Sequence, residues 1–363
     1  MKSNHRLLVR LILCLLLGAI CLLLHHNTNA PATGLFGTEA IEVVSGTDGD
    51  YIKWVDFNIS YEALCTAYDL DVASYDSPIH LNWIELLAYA GAKNGGNFDK
   101  NSVSLIQKLA SELSDEKTTM KELTTDMKYY EYYYEAYETV LGGMVGEYEI
   151  EQENEAGEKE WKKVYGLKAF SPIAKGFEYT DYDDFGSSRS YGYKRPHLGH
   201  DMMGQIGTPI ICIESGYVEA LGWNQYGGWR IGIRSFDKKR YYYYAHLRQN
   251  FPYALDLKEG SVVTAGDVIG YMGHTGYSTT ENVNNIETVH LHWGLQLIFD
   301  ESQKEGNNEI WIDCYALTRF LYKNRSLTEK NTETKEWFRH FQMRDPAVTS
   351  FEHTQTPSGP QSL

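Results

Sequence analysis

The sequence predicts an α+β multidomain chain: a mostly helical N-terminal domain over 42–147, then an all-β antiparallel domain of sandwich or barrel-like form over 170–325 that closes with a terminal helix. Three observations carry this reading. Apolar residues recur at helical spacing from about Glu42 to Val145; short alternating runs broken by glycine take over after Ser171-Pro172; and an acidic stretch with a turn at Ala156-Gly157 separates the two regimes.

Within the first regime, HLNWIELLAYAGAKNGG has apolar residues on one helical stripe and stops at Gly95-Gly96, and SVSLIQKLASEL makes a second amphipathic segment. Thr119 followed by Glu122 is a capping-box pattern, and the helix it opens aligns Met127, Tyr130, Tyr134, Tyr137 and Leu141 on one stripe. That stripe is read as core and not as a sugar-stacking platform. Glu62 and Glu85 are carboxylates without a spacing that marks them as a catalytic pair. Residues 148–169 read as an acidic hairpin and linker, with its turn at Ala156-Gly157.

Beyond the linker, TPIICIE, GYVEALGW, WRIGIRS, RYYYYAHL, DVIGYMG and VHLHWGLQL read as antiparallel strands, ALTRFLYKN as the terminal helix and 326–363 as a disordered tail. In VHLHWGLQL, Val289, Leu291, Trp293, Leu295 and Leu297 share one parity and His290 and His292 the other. Successive strand side chains alternate faces, so the two imidazoles project together from the face opposite the core.

Upstream, HLGHD offers His197 and Asp201 around Gly199, and the glycines and Pro209 that follow argue for a loop or strand end. Zinc accepts neutral imidazole and carboxylate, and a catalytic zinc keeps three protein ligands with a fourth position for water. His197, Asp201 and one histidine of the HxH pair fill that count.

These segments, in the order HLGHD, YAHL, GYMGHTGYST and HLHWGL, resemble the lysostaphin-type, or LytM-like, zinc metallo-endopeptidases that cut peptide cross-links in bacterial peptidoglycan, over about 170–321. The resemblance implies a β-rich core with a groove across the metal, Zn2+ held by His197, Asp201 and His292, and His246 and His290 as the catalytic proton-handling imidazoles. No HExxH occurs, so the general base is not a helical glutamate; imidazoles with a pKa near working pH take that role. Departures are few. His200 stands where the family has an aliphatic residue, on the parity opposite His197, and is a minor rival as ligand. His274 in the glycine-rich turn reads as an exposed turn residue. Arg230 and Arg234, on one parity of WRIGIRS, and the acidic cluster Asp181–Asp184 read as solvated charge before substrate rim.

At the amino terminus, Lys2, Arg6 and Arg10 precede an apolar run from Leu11 to Leu24. Residues 1–30 are expected to be an export signal, cleaved after Ala30 or retained as a membrane anchor through 7–24, which puts the rest of a bacterial chain outside the cytoplasm. Outside that segment Cys65, Cys212 and Cys314 are odd in number and widely spaced, so no disulfide framework is implied. A formal charge of −16 argues against a nucleic-acid partner. The expectation is an extracytoplasmic zinc endopeptidase acting on peptidoglycan peptides, with a helical domain that positions it or binds a protein partner. The alternative is a catalytically silent wall-binding scaffold of the same fold that recruits another hydrolase.

Overall fold

Four polar residues open helices in the computed structural model, which describes residues 51–191, 193–304 and 308–355. Ser60 caps α1 (Tyr61–Ser74), Asn82 caps α2 (Trp83–Asn94), Asp99 caps α3 (Lys100–Ser114), and Thr119 with Glu122 closes a capping box on α4 (Met120–Thr124). In each, a side-chain oxygen accepts from a first-turn N–H that has no partner within the helix. The second helix ends on Gly95, whose φ of 61° is the left-handed conformation that favours glycine.

The helix opened at Thr119 does not run on to Leu141. It stops after one turn and restarts as α5 (Tyr130–Leu141). Thr124 and Thr125 turn their hydroxyls back onto the carbonyls of Met120 and Lys121, at 2.9 and 2.6 Å, a local alternative that weakens helix continuation. Met127 therefore falls between helices, while Tyr130, Tyr137 and Leu141 are buried as the stripe requires.

Next comes a hairpin of β1 (Val145–Glu153) and β2 (Lys159–Leu167), in unbroken register from Val145↔Leu167 to Glu153↔Lys159. The remaining strands are β3 (Thr180–Asp181), β4 (Ser188–Tyr191), β5 (Tyr193–Pro196), β6 (His200–Met203), β7 (Pro209–Ile211), β8 (Gly216–Asn224), β9 (Gly228–Ser235), β10 (Arg240–Ala245), β11 (Val262–Val263), β12 (Val268–Tyr271), β13 (His290–Leu297) and β14 (Ile310–Trp311). They are followed by α6 (Tyr315–Leu321), β15 (Thr328–Lys330), β16 (Trp337–Arg339), β17 (Met343–Arg344) and α7 (Pro346–Gln355).

The main sheet is antiparallel, in the order β11-β8-β9-β10-β13-β6-β3 with β14 added on β13. Its end strands do not meet, so the barrel-like form expected from sequence is an open sheet. Helices and sheet share one continuous core: Leu64, Leu86, Leu87 and Tyr137 belong to the same apolar cluster as Ile231, Tyr242, Trp293 and Leu295. Phe320 of α6 joins the layers, with its ring 5.4 Å from Tyr68 and 5.7 Å from Trp83.

Buried charge ties the same layers together. On β10, Arg240 donates to Glu214 at 2.7 and 3.1 Å, to Asp237 at 2.8 Å, and to the Thr139 carbonyl on α5 at 2.8 Å. The Tyr242 hydroxyl donates to the same Glu214 at 2.6 Å.

Two expectations are corrected here. Residues 326–363 are not wholly a disordered tail: β15 pairs β16, β17 adds to the edge of β1 through Glu149↔Arg344, and Phe351 of α7 stacks on Phe236 with rings 4.5 Å apart. An edge strand recruited by backbone pairing needs little apolar periodicity of its own, so composition alone points to disorder. Arg234 is fully buried instead of solvated, donating to the Lys238 carbonyl at 2.8 Å and to Glu301 at 2.7 Å. Cys65, Cys212 and Cys314 form no disulfide. The apolar stretch 7–24 and the proposed cleavage after Ala30 lie outside the described residues; among the described residues no helix is long and apolar enough to cross a membrane.

Candidate active site

Strand alternation builds the floor of a cleft. On β13, Leu291, Trp293, Leu295 and Leu297 are fully buried on the core side, and His290 and His292 face the other way into a cleft of about 480 Å3. Beside it on β6, Asp201 and Met203 line the cleft and Met202 goes into the core. In this register His292 lies directly opposite Asp201. His197, just before β6, completes the group.

The three side chains converge on one point. His197 Nε2, His292 Nδ1 and Asp201 Oδ1 stand 2.9 Å from one another along each edge of a triangle, and among the described residues they are the His/Cys/Asp/Glu group placed to hold a metal ion. Gly199 permits this approach, since a Cβ there would lie 2.6 Å from His292 Cε1.

Backbone carbonyls fix the tautomers of the surrounding rings. A carbonyl only accepts, so a ring nitrogen bonded to one must carry the proton. His197 Nδ1 meets the Asp184 carbonyl at 3.2 Å, His246 Nδ1 the Thr275 carbonyl at 3.0 Å, and His290 Nδ1 the Thr288 carbonyl at 2.8 Å. Each therefore keeps its Nε2 lone pair free. The His246 and His290 rings lie 4.7 Å apart, His246 is 5.8 Å from His292, and His290 Nε2 is 3.7 Å from Asp201 Oδ1. His246 reaches this place at the end of β10 with φ of 62°, a left-handed conformation that costs a non-glycine residue about 1 kcal/mol.

Electrostatics favour ligand-ready forms. Burial alone would raise the Asp201 pKa, but the His197, His292 and His290 imidazoles crowded around it outweigh burial and hold the carboxyl well below its usual range. Burial pushes His246 and His292 down, so both rings stay neutral. Two imidazole nitrogens and a carboxylate oxygen, with the second nitrogen of His197 held by a carbonyl, are the donor set and outer support that zinc takes.

All five residues expected at the site are thus gathered there. His200 is not: it points to the opposite face, buried against Asp181 at 2.9 Å. His274 is half-buried, with Nδ1 on the Ile286 carbonyl at 2.7 Å, and neither Arg230 nor Arg234 lines the cleft. Asp184, expected to be solvated, is buried and bonds Arg189, which reaches Asp201 Oδ2 at 3.3 Å. Sequence reasoning missed Arg189 and Thr275. The Thr275 hydroxyl donates to the Leu247 carbonyl at 2.6 Å and accepts from Trp229 N–H at 3.1 Å, and its carbonyl orients His246. The threonine was visible in the GHTGYST turn; Arg189 carried no local signal.

The sequence carries a peptidase-family domain. Residues 195–305 match the model of Peptidase family M23, and this stretch is similar to the LytM-like peptidases. It is 33% identical over 160 residues to the L-Ala--D-Glu endopeptidase of Bacillus subtilis (strain 168), covering 44% of this chain and 47% of that protein. Lysostaphin of Staphylococcus staphylolyticus is 38% identical over 89 residues, 24% of this chain and 18% of that one. The chain therefore spans less than half the length of these curated relatives. A solved structure from Ruminococcus gnavus assigned as a glycyl-glycine endopeptidase, LytM, aligns over 78% of this chain and 93% of its own, at 25% identity and a TM-score of 0.48.

Proposed function

We propose that this chain is an extracytoplasmic, zinc-dependent endopeptidase that hydrolyses peptide bonds of bacterial peptidoglycan. The observation that carries the reading is the triangle of His197, Asp201 and His292 on a cleft floor, with two further imidazoles whose Nε2 lone pairs are free. His197, Asp201 and His292 would hold the zinc, which supplies a Lewis acid for the scissile carbonyl and brings the acidity of water to a pKa of about 7.

The remaining work belongs to the chain's own residues. Of His246 and His290, one takes the proton of the attacking water at Nε2 and the other steadies the developing oxyanion or passes a proton to the leaving amine. Arg189 holds Asp201 through its second oxygen, and Asp184 holds both Arg189 and His197, so the ligands are oriented before substrate arrives. Export rests on the basic residues and apolar run of the first thirty positions. The relatives' names support a wall peptide as substrate, and the helical layer is left to position the enzyme or to bind a partner.

The test is incubation of the purified chain with purified peptidoglycan, with and without chelator, followed by chromatography of released muropeptides. Metal-dependent release that is lost in His246→Ala is the expected result. Zinc binding with no release contradicts it and favours a scaffold that recruits another hydrolase.

A further inference from the structure

The β4–β5 hairpin overhangs the cleft with two arginines that are direct cross-strand partners, Arg189↔Arg195, and both line the cleft. Directly opposed residues of an antiparallel pair share a face, and like charges there are destabilising unless each is compensated. Arg189 is compensated by Asp184 and Asp201. Arg195 is not: its guanidinium donates to the Tyr277 hydroxyl at 3.0 Å and lies 5.4 and 5.7 Å from the ring centres of Tyr226 and Tyr277, and among the described residues no carboxylate pairs with it. Its Nε is buried without a partner. Two aromatic faces hold the fork in place while leaving its strongest hydrogen-bonding capacity unused.

The lining contains two carboxylates. Asp201 belongs to the triangle, and Glu287 is exposed, where water screens it. A planar, half-buried guanidinium with open donors is a carboxylate-binding group. Its place relative to the chemistry is set by Tyr277, whose ring is 6.0 Å from that of His246. An extended peptide covers that span in about three residues or fewer.

We propose that Arg195 is a specificity-determining residue that binds a substrate carboxylate, so that this cleft selects peptides carrying a free carboxylate within about three residues of the bond cut over neutral, glycine-type bridges. This rests on the endopeptidase reading above. No covalent step is added; Arg195 contributes binding and register.

The experiment uses the full chain loaded with zinc and two synthetic peptides: L-alanyl-γ-D-glutamyl-L-lysine amide, in which the D-glutamyl α-carboxylate is the one free carboxylate, and the same peptide with that carboxylate also amidated. Cleavage is followed by chromatography, and the ratio of kcat/KM between the two is the readout. The wild type should favour the free acid by at least about tenfold, the worth of one charge-assisted bond. Arg195→Gln should bring the ratio close to one, and Arg195→Lys, which keeps charge but not the fork, should fall between. A ratio near one in the wild type, or a ratio unchanged in Arg195→Gln, overturns the proposal. If neither peptide is cut, the endopeptidase reading is what has failed, and calorimetric binding of the same two peptides still decides the role of Arg195: tighter binding of the free acid that Arg195→Gln abolishes upholds it, and equal binding of both rejects it.

Discussion

Asp201 and His292 face each other in register across β6 and β13, and their Oδ1 and Nδ1 atoms are 2.9 Å apart. The pairing makes ligand geometry a property of the sheet and not of a mobile loop. Adjacent strands set the separation of two donors, and His197, just outside β6, has only to turn inward.

Gly199 is where this geometry is most easily upset. A Cβ there would sit 2.6 Å from His292 Cε1 and 2.7 Å from the Trp293 carbonyl oxygen. Gly199→Ala should therefore displace His292, cost about 1–3 kcal/mol as an overpacked site, and weaken zinc binding at least tenfold. Zinc titration against a competing chelator, beside a urea melt, checks it; unchanged zinc affinity in a folded variant would contradict the close-approach argument.

Thr275 is expected to matter for catalysis without touching metal. In Thr275→Val the Leu247 carbonyl and the Trp229 N–H lose their buried partner, at about 1–3 kcal/mol for the groups left unsatisfied. The turn that orients His246 through the Thr275 carbonyl loosens with them. Zinc content should stay at the wild-type level while kcat drops, measured by metal analysis and muropeptide release on the same preparation.

Stability should depend on the charged group that joins helices to sheet. Removing Arg240 leaves Glu214 buried and unpaired and the Thr139 carbonyl without its donor. Arg240→Leu should cost about 3–5 kcal/mol, read as a lower urea midpoint. A double variant that also replaces Glu214 by Gln should recover part of the loss, because no buried charge then remains alone.

Asp237 should give the same network an acid dependence. Burial would raise its carboxyl, but the Arg240 charge together with hydrogen bonds from Ser235, Lys239 and Arg240 hold it below the usual 3.8. With a depressed native pKa, the unfolded chain takes the proton first, so the stabilisation is complete above about pH 4 and is lost as pH falls through the lower native value. Asp237→Asn should lower stability at neutral pH and flatten the decline between about pH 4 and pH 2. Equal acid sensitivity in both proteins would remove Asp237 from the account.

Much of the site was legible because strands have a two-residue period. The alternation of VHLHWGLQL placed both histidines on one face, and parity set His200 apart from His197. What stayed hidden were contacts made from the β3–β4 loop and from β4 itself. Asp184 and Arg189 reach His197 and Asp201 from a segment whose charges look solvated when read alone, and Arg234 lies on a strand covered from both sides, so its burial depends on partners far along the chain. The single helix expected from Thr119 to Leu141 failed for a local reason, the back-bonding of Thr124 and Thr125, which a hydrophobic stripe does not register. β17 escaped notice because its pairing partner, β1, is distant in sequence, and β15 and β16, which pair with each other, are too short to show an alternating pattern.

Anomalous X-ray scattering at the zinc edge, from crystals of the zinc-loaded chain, tests the central claim most directly. One strong peak is expected, within about 2.0–2.2 Å of His197 Nε2, His292 Nδ1 and an Asp201 oxygen, and no such peak in Asp201→Ala. Zinc bound elsewhere in the wild type, or retained at full occupancy by Asp201→Ala, would contradict it.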